Sequence, residues 1–258
     1  MESTCVSAIL TRRVGQVLLV TINRPGQRNA VNRAVSVGIA AALDELDAAP
    51  ELTVGVIHGE GNVFCAGMDL KAYAAGEQIR LPERGFAGLV QKPPAKPLIA
   101  AVEGWALGGG FEIALACDLV TAGTSARFGL PEVTRGLAAR GGGVFRLPRR
   151  VPYQVAMELI LTGSTMTAER AASLGLLNRL VEDGQALAAA LELAETMSAN
   201  APMAVRASKR VVVESGDWPS DECFERQSTY LEPVFGSADA AEGVAAFRER
   251  RTPVWRNG

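Results

Sequence analysis

With 258 residues, 26 basic and 28 acidic side chains and a formal charge of −2, the chain has no general field for nucleic acid or an anionic membrane. It is long enough for one large α/β domain or a core with an appendage, and either buries a substantial apolar interior. No apolar run reaches the ~18 residues that span a bilayer. The start, Met1-Glu2-Ser3-Thr4-Cys5, lacks the basic and then apolar form of a secretory signal. Cys5, Cys65, Cys117 and Cys223 form no CxxC pair, so a disulfide framework or zinc ribbon is not expected, and the expected compartment is the cytoplasm.

In chain order, Val17-Leu18-Leu19-Val20-Thr21-Ile22 predicts a strand closed by the loop Asn23-Arg24-Pro25-Gly26. Val35 to Leu46 has apolar residues at helical spacing and ends before Pro50. Val54 to His58 and Pro97 to Val102 predict two further strands, and Asp118 to Ala122 a fourth after a glycine-started helix. Alternating strands and helices imply parallel pairing, with ligands at loops that follow strand ends. Beyond Tyr153 the pattern is helical: Tyr153–Leu161, Ala168–Leu174, Gln185–Ala199, Pro202–Glu214, Asp221–Phe235 and Ala238–Arg250, with one possible strand at Leu177 to Val181. The expected organisation is an α/β core over residues 1–200 and a helical region over 201–258, packed together without a low-complexity linker.

Two carboxylates stand out, twenty positions apart: Glu112 after Gly108-Gly109-Gly110-Phe111, and Glu132 after Phe128-Gly129-Leu130-Pro131. A glycine triplet entering an apolar helix leaves backbone N–H groups free at its N-terminus, where they can meet a developing oxyanion. Two glutamates beside such a site can divide acid and base work on one water. Each also has a structural reading, since a glutamate in a first turn serves the helix dipole and a Pro-Glu pair opens a helix. His58 is the only histidine and stands in no Cys/His/Asp cluster or nucleophile elbow, so neither a metal site nor a Ser-His-Asp triad is expected. The glycine triplet is not a GxGxxG dinucleotide fingerprint. Trp105, Trp218 and Trp255 are expected to pack, and Arg248-Glu249-Arg250-Arg251 to form a solvated face.

Four segments in order, Asn23-Arg24-Pro25 with Arg28-Asn29-Ala30, Phe64-Cys65-Ala66-Gly67-Met68-Asp69-Leu70, Gly104 to Glu112, and Phe128 to Glu132, resemble the crotonase (enoyl-CoA hydratase/isomerase) superfamily over nearly the whole chain. The resemblance implies a crotonase-like α/β spiral of strand-strand-helix turns with a helical C-terminal trimerisation region. It also implies an acyl-CoA substrate and assembly as a homotrimer or a hexamer made of two trimers. Coenzyme A would be part of the substrate, with no separate cofactor. The oxyanion donors would be the backbone N–H groups of Met68 and Gly109. Glu112 would activate water and Glu132 would deliver a proton to C2, with their resting protonation left open. Ala66, Met68, Asp69, Leu70, Lys71 and Gly109, with Arg28 and Ala30, would bind the CoA ester, although Arg28 and Lys71 read equally as solvated surface charges.

Ala72 to Leu89 is expected as a mobile wall of the acyl pocket. Where many members of the superfamily carry a proline after the second glutamate, this chain reads Arg135-Gly136-Leu137-Ala138-Ala139-Arg140-Gly141-Gly142-Gly143, which leaves the preferred acyl group open. The implied activity is hydration of trans-2-enoyl-CoA in fatty acid or related acyl-CoA degradation. The alternatives are isomerisation on the same scaffold, another acyl-CoA reaction, or a non-catalytic acyl-CoA-binding homologue.

Overall fold

The computed structural model describes residues 7–257; Cys5 lies outside them. Two sheets carry the architecture. The larger has strands β1 (Ile9–Val14), β2 (Val17–Ile22), β3 (Val54–Gly59), β4 (Leu98–Val102), β6 (Leu119–Gly123) and β9 (Arg179–Val181) in the spatial order β1-β2-β3-β4-β6-β9. Only the β1–β2 pair is antiparallel. The smaller sheet joins β5 (Trp105–Leu107), β7 (Arg127–Gly129) and β8 (Thr165–Thr167), each three residues long. Helix α1 (Arg33–Ala48) connects β2 to β3, α2 (Leu70–Ala74) follows β3, and α3 (Gly109–Ala116) links β5 to β6. The chain therefore climbs as repeated turns of strand, strand and helix. Next come α4 (Gly143–Arg146), α5 (Tyr153–Thr162), α6 (Ala168–Ser173) and α7 (Ala186–Ser198), and then the C-terminal helices α8 (Pro202–Ser215), α9 (Cys223–Phe235) and α10 (Ala238–Glu249).

The continuous apolar runs of the inner strands follow from burial on both faces. Leu18, Val20, Ile22, Ile57, Leu98 and Ala100 pack with Val35, Ile39, Leu43 and Leu46 of α1 on one side. On the other side Val17, Leu19, Val54, Val56, Ile99 and Ala101 meet Ala186, Ala190 and Ala194 of α7. Helix α1 begins two residues before the expected start because Asn32 caps it, its side chain accepting from the Val35 N–H at 3.1 Å. The expected helices after Tyr153 are all present, their ends differing by no more than two residues.

Strands β1, β5, β7 and β8 carry no readable pattern in the sequence. Edge strand β1 exposes four of its six residues, so its apolar content is low. The other three are too short for a period-2 signal. Among the described residues no helix is long and apolar enough to cross a membrane, and no group of three or more His, Cys, Asp or Glu side chains could hold a metal.

The C-terminal helices lie against the core through polar anchors. Lys209 Nζ on α8 donates to Asp118 Oδ2, Pro94 O and Lys96 O at 2.7–2.9 Å. Neither α8 nor α9 contains a buried residue, and Phe224, Phe235 and Phe247 are 80%, 82% and 86% exposed.

One buried amide fixes the loops at the ends of β2 and β3. Arg28 and Asn29 both hold left-handed backbone, with φ of 51° and 56°, and Asn29 is fully buried. Its Nδ2 donates to Glu60 O (2.9 Å) and Val63 O (2.6 Å), while its Oδ1 accepts from Arg24 N–H (2.9 Å). Asn29→Ala strands three polar groups, each costing ~1–3 kcal/mol when left unpaired in a buried setting. The expected result is a loss of about 3 kcal/mol in chemical denaturation; a change under 1 kcal/mol would show that this clamp does not hold the loops.

Candidate active site

The segment that Asn29 secures lies beside the glycine-rich start of α3. Ala66 N–H donates to Arg28 O at 3.0 Å, Val31 N–H to Gly67 O at 2.8 Å and Asp69 N–H to Val31 O at 2.9 Å. A second bridge joins Cys65 to Ala106 on β5. Gly67 has φ of 95°, and a Cβ there would lie 2.7 Å from Leu107 O and 3.2 Å from Gly109 N. A Cβ on Gly110 would collide with the Cys65 carbonyl, and one on Gly109 with the Phe86 ring. Glycine at these positions is thus what lets the 65–68 segment touch the first turn of α3. Met68 N–H has no backbone acceptor among the described residues, and Gly109 N–H opens the helix, where no intrahelical acceptor exists. Both residues line one cavity of about 640 Å³.

Glu112 and Glu132 line the same cavity, but their environments differ. Glu112, in the first turn of α3, is 3% exposed. Its Oε1 accepts from the Gly141 and Gly143 N–H groups at 2.6 and 2.9 Å. Burial raises its pKa above the ordinary carboxylate range, opposed by those two N–H groups and by the charges of Arg146 and Arg80. Arg146 ties the clamp together, donating to Gly141 O at 3.1 Å and to Val90 O at 2.6 Å.

Glu132 sits in the 3-10 turn Pro131–Arg135, a single turn rather than the opening of a longer helix. Gly108 makes room for its carboxyl, since a Cβ there would stand 3.1 Å from Oε1. Its Oε2 is buried without a hydrogen-bond partner. Burial, reinforced by the Glu112 charge and opposed by its own backbone N–H and Arg135, pushes its pKa up to about 6. One carboxyl is therefore clamped by donors and the other is poised to carry a proton near neutrality.

Of the other residues singled out in the sequence, Ala66 and Leu70 line the cavity, whereas Arg28, Ala30, Asp69 and Lys71 do not. Arg28 meets the 66–69 segment through its carbonyl, which accepts from Ala66 N–H, whereas the Ala30 carbonyl accepts from Arg24 Nη1. Asp69 caps α2, accepting from the Lys71 and Ala72 N–H groups at 3.1 Å, and pairs with Arg24 Nη1 at 3.0 Å. Lys71 is exposed.

The 72–89 wall supplies Tyr73, Arg80 and Phe86 to the cavity and is anchored by buried Ile79, Phe86, Ala87 and Leu89. The stretch without the proline contributes Leu137 to Gly142, followed by Val144 and Phe145. The N–H clamp on Glu112 was not legible as such in the sequence, although Gly141-Gly142-Gly143 is a second glycine triplet open to the same argument as the first. His58 Nε2 and Thr21 Oγ1, paired in the β2–β3 register, lie 2.8 Å apart. Trp105 is exposed and outside the cavity lining. Burial pushes the thiols of Cys65, up to about 12, and Cys117 well above their ordinary value.

Comparison with known proteins gives this geometry a family. The profile described as Enoyl-CoA hydratase/isomerase matches residues 12–258. The chain belongs to the enoyl-CoA hydratase/isomerase family. Within that family it is similar to enoyl-CoA hydratase EchA19 of Mycobacterium tuberculosis, 42% identical over 96% of each chain. It also resembles mevalonyl-coenzyme A hydratase sidH of Aspergillus fumigatus, 41% identical over 93% of this chain and 91% of that one. The crystal structure of enoyl-CoA hydratase EchA1 from Mycobacterium marinum superposes with a TM-score of 0.97 and 52% identity, covering 98% of this chain and 100% of that one. The α/β spiral with its C-terminal helical bundle is therefore the enoyl-CoA hydratase/isomerase fold, and the chain is an enzyme of this superfamily acting on acyl-CoA esters.

The raised pKa of Glu132 has a consequence for stability. With a folded value of about 6 against an ordinary 4.5, the folded state binds this proton more tightly than the unfolded chain. Its contribution is fully present below pH 4.5 and is lost as pH rises through about 6. Glu132→Gln, which mimics the neutral acid, is expected to unfold with wild type at pH 4 and to gain on the order of 1 kcal/mol over it by pH 7.5, after discounting for partial solvent exposure. Thermal melts across that range check it; a stability difference independent of pH would rule out the raised pKa.

Proposed function

We propose that the protein is an enoyl-CoA hydratase, adding water reversibly and syn to a trans-2-enoyl-CoA to give a 3-hydroxyacyl-CoA, as a hydro-lyase of fatty acid or related acyl-CoA degradation. The observation that carries this reading is the asymmetric carboxyl pair: in one cavity, Glu112 is held by two N–H donors and Glu132 has a buried, unpartnered oxygen and a pKa of about 6. In the reaction the thioester oxygen accepts hydrogen bonds from Met68 and Gly109 N–H. As the water oxygen bonds to C3, Glu112 takes the water's proton and the C2=C3 pair moves toward the thioester, placing enolate charge on that oxygen. Each preorganised donor is worth roughly 3 kcal/mol in the transition state. Glu132 then gives its proton to C2. The proton on Glu112 returns to Glu132 to restore the starting state, so the pair acts as one coupled unit.

Isomerisation between C2 and C4 needs one carboxyl to shuttle a proton, so a donor-clamped base beside a neutral acid favours hydration. The apolar walls formed by Leu70, Phe86, Leu107 and Phe145 suit the acyl chain. Gain of one water by crotonyl-CoA, read by loss of enoyl-thioester absorbance and by product mass, is the expected result. Glu112→Gln and Glu132→Gln should each lower that rate by ~10²–10⁴-fold with unchanged circular dichroism. Wild-type rates in either variant would remove that residue from the mechanism. Double-bond migration in 3-enoyl-CoA without hydration would replace this reading by the isomerase.

The same reading extends to assembly. The exposed Phe224, Phe235 and Phe247 of α9 and α10 support burial of this bundle between copies of the chain, as a trimer or two stacked trimers. Sedimentation velocity is expected to give three or six protomers, and Phe224→Glu with Phe235→Glu to shift the mass downward. A monomeric wild-type protein would overturn it.

A further inference from the structure

The cavity lining holds a guanidinium that has no acidic partner of its own. Arg80 is half-buried and lines the cavity that contains Glu112 and Glu132. Its Nη1 donates to Arg140 O at 3.2 Å, and no acidic side chain among the described residues pairs with it. Nearby arginines differ in this respect: Arg84 pairs with Asp44 and Arg24 with Asp69. Arg140 and Arg135 lie on the same cavity lining and are likewise absent from any ion pair among the described residues. Three guanidinium groups thus face a space whose only carboxyls are Glu112 and Glu132, one of them poised to be neutral.

A guanidinium has five N–H donors in a planar fork. With one donor spent on the Arg140 carbonyl, a wholly aliphatic acyl chain would displace water from the rest and leave them unpaired, which is unfavourable. A carboxylate on the acyl chain would meet them in a charge-assisted, two-pronged pair. Arg80 lines the same cavity as Glu112 and Glu132, which places this recognition on the acyl chain beyond the reacting C3.

We propose that Arg80, supported by Arg140, selects enoyl-CoA esters whose acyl chain ends in a carboxylate a short distance beyond C3, and rejects acyl groups that carry a cation there. This rests on the hydratase reading and deepens it by naming the substrate class. No covalent step beyond hydration is involved.

The test uses three substrates of matched shape that differ in charge beyond C4: 2-pentenedioyl-CoA (carboxylate), 5-methyl-2-hexenoyl-CoA (isopropyl) and the 4-trimethylammonio-2-butenoyl ester (cation). In wild type, kcat/KM is expected to favour the anion about tenfold over the neutral ester and about a hundredfold over the cation. In Arg80→Gln the anion-to-neutral ratio is expected to fall to about one, and Arg80→Lys to keep part of it. The ratio cancels any effect of Arg80 on the Glu112 acid–base chemistry.

A wild-type ratio at or below one, with brisk hydration of the neutral ester, overturns the proposal and leaves the hydratase reading standing. Should none of the three be hydrated, the crotonyl-CoA assay decides the hydratase reading, and calorimetric binding decides the selection separately. Glutaryl-CoA must then bind more tightly than 5-methylhexanoyl-CoA to wild type and lose that advantage in Arg80→Gln. Equal affinities in wild type overturn the proposal.

Discussion

The close approach of two backbone segments, 65–68 and the start of α3, is the constraint on which the rest of this molecule depends. Where Gly67 faces Leu107 O and Gly109 N, there is no space for a side chain. That contact leaves two amides without intramolecular work and aims the helix so that its fourth residue, Glu112, enters the interior. Burial of that carboxyl is tolerable only because the Gly141 and Gly143 N–H groups meet it, since an unsolvated carboxylate without donors would be strongly destabilising. The parallel sheet packed between α1 and α7 holds the strands that end at these loops, and its apolar interior opposes the strain of a polar site.

The two carboxyls show how one scaffold separates acid from base. Both are partly or wholly removed from water, so both are pushed toward neutrality. Glu112 is pulled back by two amides and the neighbouring guanidiniums, while Glu132 keeps an oxygen with nothing to bond. The division of labour comes from the donors around each carboxyl, because the side chains themselves are identical.

The sequence was legible wherever a signal is local. β2, β3 and β4 announced themselves as short apolar runs, and the helices through apolar residues at helical spacing or, for α3, through its glycine start. The glutamate pair stood out by the glycine- and proline-led segments before it, the resemblance named Met68 and Gly109, and the structure brings all four residues to one cavity. What escaped depends on distant chain segments. The three-residue strands β5, β7 and β8 exist because neighbours supply their partners, and β1 because it rides on β2. The clamp on Glu112 joins residues 29 and 31 positions apart, and no periodicity encodes that. Asp69, placed by its motif among CoA contacts, is occupied with the α2 cap and with Arg24.

Arg146 bonds at once to Val90 O, behind the acyl wall, and to Gly141 O, on the turn that supplies donors to Glu112. Shape and reactivity are consequently mechanically linked. A change in side-chain volume that displaces the wall near Val90 pulls on the same guanidinium that steadies the turn, and with it the proton affinity of the base. Divergence toward a new acyl group therefore proceeds more freely through exposed lining residues such as Leu70, Tyr73 or Leu137 than through the packed segment that leans on this strut. In this family member the pocket mouth is the part of the molecule free to drift, and the wall behind it changes only together with the chemistry.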